Sequence, residues 1–174
     1  MKLASFEAIV RALNNADVRY LIAGGLAVNA HGYLRYTKDV DLVVDLEEAN
    51  TLRALKALES LGFKPTIPVE ATQFADAETR NRWVQEKHMK VMQLFSDQHR
   101  ETPVDIFVSA PFDFEAEHEA AYTDEAAPGL MVRFVRLETL IQMKEEVGRD
   151  RDKDDVQHLR WLQEEEKGDE PDGR

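Results

Sequence analysis

The 174-residue chain contains no cysteine, which excludes disulfide bonds and thiolate metal sites. It also lacks an apolar run of the roughly 18–20 residues that a membrane-spanning helix needs. Its first residues, Met1–Glu7, lack the apolar core of a secretion signal. With 43% hydrophobic and 32% charged residues, the composition is that of a globular protein. We therefore expect a cytoplasmic protein that has no membrane partner.

Basic residues are few relative to acidic ones, 22 against 34, which gives a net charge of −12. This balance argues against a broad surface that coats nucleic acid. Residues 164–174 carry six acidic and two basic residues, and we expect them to form an acidic, disordered tail after a single domain at residues 1–163. Any polyanionic substrate would need a confined basic pocket, where metal ions would help.

The apolar periodicity predicts a mixed α/β (α+β) domain. Helices are expected at residues 3–15, 26–30, 46–61, 137–147 and 152–166, and strands at residues 18–23, 39–45, 91–95, 104–108 and 131–135. The spacing of residues 91–95 and 104–108 favours an antiparallel hairpin with a longer loop. Residues 64–90 are predicted to form a loop or an irregular strand pair.

Two carboxylates, Asp39 and Asp41, stand one residue apart at the head of an apolar run that ends at Val44. If this run is a strand, both side chains point to the same face of the sheet. Two negative charges 4 Å apart repel by about 4 kcal/mol at an effective dielectric constant of 20. A divalent cation would relieve that repulsion.

A third carboxylate, Asp105, lies near the head of another apolar strand. Burying it without compensation would cost several kcal/mol, and a hard-cation site shared with Asp39 and Asp41 would supply that compensation. Mg²⁺ suits carboxylate oxygens, water and phosphate as ligands. The alternative is that Asp105 caps a turn or pairs with an arginine.

Gly24 and Gly25 follow one predicted strand and open a short helix. Such a turn allows backbone N–H groups to approach a phosphate, although tight turns also use glycine for purely steric reasons. Gly25 precedes Asp39 by 14 residues across one helix, a separation that could return the chain to the same site.

Basic side chains near these positions are candidate phosphate ligands. Lys144 continues the apolar stripe of its predicted helix, so its ammonium group either reaches solvent or projects into the acidic cleft to bind a triphosphate. Arg35 and Lys38 flank the aspartate pair and are expected to contact phosphate or base. Arg149 and its basic neighbours are interpreted as a solvated helix junction.

Two further groups are interpreted as structural. His31 is the one histidine near these motifs, and we expect it to be packed or capping rather than a catalytic base. The acidic residues at the start of the last helix are explained by the helix dipole; they are Asp150, Asp152, Asp154 and Asp155.

Taken together, Gly24-Gly25, the segment Arg35-x-Thr37-x-Asp39-x-Asp41 and Asp105 resemble the DNA polymerase β-type nucleotidyltransferase superfamily. The resemblance is closest to its minimal bacterial members, the AbiEii-type toxins and the lincosamide-type transferases. It covers roughly residues 18–162.

The resemblance implies a polymerase β-like fold, a mixed sheet flanked by helices. It also implies transfer of a nucleoside monophosphate (NMP) from a nucleoside triphosphate (NTP) to a hydroxyl acceptor, with two Mg²⁺ ions or alternatively Mn²⁺. In such proteins Asp39, Asp41 and Asp105 would hold the metal ions, and Asp105 would help to activate the acceptor. Gly24 and Gly25 would cradle phosphate and Lys144 would contact the triphosphate. The residues expected to bind substrate are completed by Arg35, Thr37 and Lys38.

The acceptor stays open between RNA, protein and a small molecule, because the chain lacks a large appended domain of the kind that recognises an acceptor. One possibility is the toxin of a toxin–antitoxin pair, with a cognate antitoxin or a helical partner protein. The alternatives are a non-catalytic module that binds a nucleotide or a partner, and an antibiotic-type transferase that modifies a small hydroxyl compound.

Overall fold

A computed structural model of the protein describes residues 1–168, and their side chains through residue 165. Within this part of the chain, seven strands form one sheet. They are β1 (Tyr20–Ile22), β2 (Val40–Val44), β3 (Lys64–Pro65), β4 (Val91–Phe95), β5 (Val104–Phe107), β6 (Tyr122–Ala127) and β7 (Leu130–Phe134).

The sheet is mixed, with the strand order β3-β4-β5-β2-β1-β7-β6. Strand β2 pairs in parallel with β5, and β1 pairs in parallel with β7. The remaining neighbours are antiparallel, including the expected pairing of β4 with β5. This confirms the predicted fold class.

Eight helices accompany the sheet within residues 1–168. They are α1 (Leu3–Asn15), α2 (Gly24–Ala30), α3 (Glu48–Glu59), α4 (Ala71–Ala75), α5 (Ala77–Lys87), α6 (Phe114–Glu119), α7 (Leu137–Val147) and α8 (Asp150–Gly168). Helix α1 packs against α3, while α7 packs against α8 and α2. None of these helices is both long and apolar enough to cross a lipid bilayer.

The apolar core follows the alternation of the strands and the helical spacing of α1. Val40 and Leu42 of β2 are fully buried, whereas Asp41 between them faces the other side of the sheet. Ile9 and Leu13 of α1 are fully buried as well. The central strands thus fix the direction in which Asp41 points.

The segment at residues 64–90 differs from its prediction. Apart from the two residues of β3, it forms α4 and α5 rather than a loop or a strand pair. Asp76 accepts a hydrogen bond from the backbone N–H of Thr79 and so caps α5. The buried Arg80 donates to the carbonyls of Phe74 and Ala75, which holds α5 against the end of α4. These contacts depend on tertiary placement, which periodicity does not reveal.

Helix α6 and strand β6 are additions to the predicted elements. Strand β6 is an edge strand with mostly exposed side chains, so it lacks the apolar alternation that would have marked it. Helix α8 continues to Gly168, beyond the predicted domain boundary at residue 163. The rest of the predicted acidic tail, residues 169–174, lies outside the described residues, and the domain division stays a prediction.

Candidate functional site

The aspartates singled out from the sequence lie on neighbouring strands. Asp41 of β2 and Asp105 of β5 are register partners in the parallel pair, so their side chains project from the same face of the sheet. Asp39 lies two residues before Asp41, just ahead of β2. The residue opposite Asp105 on β4 is Gln93, and its Nε2 donates a hydrogen bond to Asp105 Oδ1 at 3.2 Å.

These carboxylates repel one another in a partly buried setting. Burial, together with the negative charges of Asp105 and Asp39, raises the pKa of Asp41 to about 6. Lys144 and Arg149 act in the opposite direction without cancelling the effect. Burial also raises the pKa of Asp105, opposed by the Gln93 hydrogen bond and reinforced by the charge of Asp39. The protein therefore holds these acids at an electrostatic cost, as a cation site would require.

The donor set fits a hard divalent cation, since it consists of carboxylate oxygens on one face of the sheet. In the part of the chain that the structure describes, however, no three histidine, aspartate or glutamate side chains are grouped so that they could hold a metal ion on their own. Mg²⁺ commonly completes its shell with water and substrate phosphate, so fewer protein ligands suffice. Asp105 itself pairs with an amide, not with an arginine or a turn.

The two glycines are in direct contact with this face. Gly24 has a φ of +60°, and a β-carbon there would lie 1.9 Å from Asp41 Oδ2. A β-carbon on Gly25 would lie 2.5 Å from Thr37 Oγ1 and 3.1 Å from Arg35 Nη1. Glycine at both positions thus lets the start of α2 approach three of the predicted site residues. The helix begins at Gly24, two residues earlier than predicted.

The segment between α2 and β2 brings Arg35, Thr37 and Lys38 to the same place. The guanidinium group of Arg35 lies against Gly25 and is paired with Asp155 of α8. Thr37 lies close to Gly25, and the exposed Lys38 lines the same cavity as Asp41. The structure therefore brings together all the site residues that the sequence predicted.

Lys144 was predicted either to reach solvent or to project into the acidic cleft, and its observed position matches neither prediction fully. Its side chain is only 8% exposed, so the ammonium group does not reach out to solvent. Nζ lies 2.8 Å from Asp155 Oδ2 and 3.2 Å from Asp152 Oδ1. Lys144 does border the cavity that contains the three aspartates, but it is ion-paired there.

Asp152 and Asp155 are the residues that the sequence interpretation missed. Their interpretation as acids explained by the helix dipole alone was wrong, because both are almost completely buried and paired with cations. Arg149 also donates to Asp152, from Nε and from its backbone N–H. A signal was present: Asp152, Asp155 and the fully buried Leu159 follow one another at spacings of three and four, as on a core-facing helix stripe.

Together with Arg149 and Asp152, all the site residues predicted from the sequence line one cavity of about 330 Å³. This volume is within the usual range for small-ligand sites. Its wall has a polar side with the aspartates and cations named above. An apolar side completes it, formed by Phe107, Leu140, Met143 and Val147. Phe107 stands two residues after Asp105 on β5, so the two side chains share a face.

His31 lies at the end of α2, where it has a packing role as expected. Its Nε2 is 2.8 Å from the carbonyl oxygen of Val135, and its ring contacts Tyr122 with a centroid distance of 4.9 Å. These contacts tie α2 to the strand end of β7 and to β6. His31 is therefore not placed among the carboxylates.

Known proteins share both the sequence pattern and the fold. A family model described as aminoglycoside-2''-adenylyltransferase matches residues 5–159. A candidate nucleotidyltransferase from Thermotoga maritima aligns with a TM-score of 0.54 and 17% identity, over 93% of this chain and 92% of the other. A search of curated proteins finds no match.

Two solved structures of the antibiotic-resistance factor ANT(2'')-Ia are also similar. The crystal structure in complex with adenylyl-2''-tobramycin has a TM-score of 0.57 and 15% identity, over 90% of this chain and 86% of the other. The solution structure has a TM-score of 0.56 and 17% identity, over 90% and 81%. At these identities the structural likeness concerns the fold.

Proposed function

This chain belongs to the aminoglycoside-2''-adenylyltransferase family, and on that premise we propose that it transfers an NMP group from an NTP to a hydroxyl group of an acceptor. Membership confirms the resemblance to the polymerase β-type nucleotidyltransferase superfamily. The observation that carries the proposal is the register pairing of Asp41 with Asp105, directly beside the Gly24 turn.

Asp39 and Asp41 are proposed to hold Mg²⁺, with Mn²⁺ as the alternative ion, and Asp105 to share in that site. A metal ion bound there would offset the charge of the triphosphate and polarise its phosphoryl group. Asp105 is also proposed to accept the proton of the acceptor hydroxyl, a role that its raised pKa favours because a stronger base takes a proton more readily.

The phosphate side of the site is proposed to consist of Gly24, Gly25 and the cations around them. The glycines leave open backbone beside Asp41, and Arg35 Nη1 lies next to Gly25. Lys38 lines the cavity as an exposed cation. Thr37 lies close to Gly25 at the start of α2.

The proposed reaction forms a bond between the acceptor oxygen and the α-phosphorus of the NTP and breaks the bond from that phosphorus to the bridging oxygen. The electron pair of the broken bond leaves with pyrophosphate, and the acceptor proton passes to Asp105. Neutralising the pyrophosphate as it leaves is a role for the cations of the cavity, Lys144 included.

For the acceptor we propose a small polyhydroxylated compound. The family description names aminoglycosides, and ANT(2'')-Ia was crystallised with an adenylylated one. In this chain the cavity wall carries five basic and four acidic side chains, so it has no acidic surplus for a polycation. The basic ones are Arg35, Lys38, Lys144, Arg149 and Arg151, and the acidic ones are Asp39, Asp41, Asp105 and Asp152.

The AbiEii-type and lincosamide-type interpretations remain alternatives within the same chemistry. A toxin of this kind would transfer the NMP group to RNA or protein and would have an antitoxin or helical partner. A non-catalytic module would bind the NTP without transfer. Against a non-catalytic module stands the placement of Asp39, Asp41 and Asp105 in one cavity, where the charge of Asp39 raises the pKa of Asp105.

The test incubates the purified chain with Mg²⁺ and each labelled NTP in turn, together with an aminoglycoside panel, neutral polyols or RNA. Mass spectrometry would detect an acceptor that carries one NMP group, and Asp41→Asn should abolish its formation. Transfer to RNA alone would favour the toxin interpretation. A wild-type chain that binds NTP and transfers nothing under Mg²⁺ or Mn²⁺ would overturn the enzymatic proposal.

A further inference from the structure

We propose that Asp155 is a positioning residue, which fixes Arg35 and Lys144 at the phosphate side of the cavity and thereby sets the affinity for the NTP. This inference rests on the proposed function, because it assigns a role within the same site. Asp155 belongs to α8 and is not one of the proposed metal ligands Asp39, Asp41 and Asp105.

Asp155 contacts the guanidinium group of Arg35 at two points. Arg35 Nη2 donates to Asp155 Oδ2 at 2.8 Å, and Arg35 Nε lies 2.6 Å from Asp155 Oδ1. Nη2 thus donates a hydrogen bond, whereas Nε and Oδ1 form a close ion-pair contact without hydrogen-bond geometry. The two contacts together hold one edge of the guanidinium group. The remaining nitrogen, Nη1, is the one that lies against Gly25 and also donates to the carbonyl of Tyr36.

Arg35 and Lys144 share the carboxylate of Asp155. Asp155 Oδ2 also lies 2.8 Å from Lys144 Nζ. One side chain of α8 therefore links the segment before β2, which carries Arg35, to α7, which carries Lys144. Because Asp155 is fully buried, water cannot take the place of its carboxylate beside Arg35 and Lys144.

The ion pairs around Asp155 form a network that carries a surplus of positive charge. Asp152 and Asp155 together neutralise two of the three cations Arg35, Lys144 and Arg149. A network held for stability alone gains little from buried charge, since apolar side chains of similar volume are often as stable. The excess positive charge lies in the wall of the cavity that Asp41 also lines. This position suits an anionic ligand on the carboxylate face.

The test compares Asp155→Asn with Asp154→Asn. The two aspartates are neighbours on α8, but Asp154 is 55% exposed and bonds to the Tyr33 hydroxyl instead of the cavity cations. The dissociation constant of a non-hydrolysable ATP analogue with Mg²⁺ should rise about tenfold in Asp155→Asn, in line with the loss of a charged hydrogen-bond partner. Asp154→Asn should bind as the wild type does.

A readout separates positioning from general destabilisation. Thermal melts and circular dichroism would verify that each variant is folded at the assay temperature. In the transfer reaction, Asp155→Asn should raise KM for the NTP while kcat stays within about twofold, as expected for lost ground-state binding. If Asp155 acts through Arg35, adding Asp155→Asn to Arg35→Met should weaken binding less than it does in the wild type.

Should Asp155→Asn fail to fold, Arg35→Lys supplies the second variant, because it keeps the charge and loses the two-point contact with Asp155. It too should weaken binding of the analogue about tenfold by the same argument. A folded Asp155→Asn, or Arg35→Lys, that binds like the wild type would overturn the inference. A wild type that binds the analogue without transferring NMP would overturn the proposed reaction and leave this inference standing. A wild type that binds no nucleotide would overturn both.

Discussion

Gly24 and Asp41 are so close that a β-carbon at position 24 would fall 1.9 Å from Asp41 Oδ2. The first residue of α2 therefore has to be a glycine for the carboxylate of Asp41 to occupy its position on β2. The same glycine has a φ of +60°, a conformation that costs other residues roughly 1–2 kcal/mol. Both the positive φ and the contact with Asp41 therefore require glycine at position 24.

Gly24→Ala is expected to destabilise the fold and to abolish NTP transfer, because Asp41 must move away from the turn. Gly129→Ala is the matched control, since Gly129 has a φ of +75° with no atom near its would-be β-carbon. Urea unfolding should show about 1–2 kcal/mol of loss for Gly129→Ala from the backbone alone, and a larger loss for Gly24→Ala. Equal losses would mean that the contact with Asp41 carries no cost.

Asp41→Asn is expected to stabilise the metal-free protein at neutral pH. The pKa of Asp41 is about 6 in the folded state against 3.8 as its ordinary value, so ionisation favours unfolding. Relative to Asp41→Asn, the wild type should lose stability as pH rises from about 4 to about 6 and then level off, by up to about 3 kcal/mol. Urea unfolding at several pH values measures this difference.

The control for this pH effect is Glu78→Gln, which removes one charge from the exposed first turn of α5. Its stability difference from the wild type should stay nearly constant over the same pH range. Mg²⁺ should stabilise the wild type at pH 7 and have little effect on Asp41→Asn. A flat difference between wild type and Asp41→Asn would contradict the raised pKa.

Much of this site was predictable because its main pieces are local in sequence. Alternation along β2 places Asp39 and Asp41 on one face, and the glycine pair predicts a tight backbone at the start of α2. Alternation along one strand does not predict which residue of the neighbouring strand lies beside Asp41. That residue is Asp105, because of the register in which β2 pairs with β5. The motif resemblance filled that gap.

The cation network was not predictable in the same way. An acidic helix start has an adequate local explanation in the helix dipole, which is why Asp152 and Asp155 were misinterpreted. Their burial depends on the packing of α8 against α7, a contact between elements. Helices α4 and α5 were missed for a related reason, since α5 buries little apolar surface and is held by Arg80 and by its cap.

Gln93 lowers the pKa of Asp105, a role that no sequence pattern indicates. Its amide donates to Asp105 and lowers the pKa of that carboxyl against the effect of burial. Gln93→Met should therefore raise the pKa of Asp105 and move the acid limb of the pH–rate profile for transfer to higher pH. Gln98→Met, in the loop after β4, is the control and should leave the profile in place. An unshifted acid limb in Gln93→Met would show that Asp105 ionisation does not limit the reaction.

Glu117 of α6 anchors the start of α7, the helix that brings Lys144 to the cavity. It is 2% exposed and accepts hydrogen bonds from the Arg136 backbone N–H and side chain and from Thr139 Oγ1. Burial alone would raise the pKa of Glu117, but these bonds outweigh it and lower the pKa. The ionised form is thus the one that stabilises the fold.

Glu117→Gln is expected to destabilise the protein by about 2 kcal/mol at pH 7, because charged hydrogen bonds are weakened inside the protein. Since the folded pKa lies below the ordinary value, this contribution is complete above that value and declines as pH falls through the folded pKa. Urea unfolding at pH 7 and at low pH should show the two proteins converging in acid. The control is Glu138→Gln in the exposed first turn of α7, which should change stability by less than about 0.5 kcal/mol. A loss in Glu117→Gln that stays constant with pH would assign the effect to packing and not to charge.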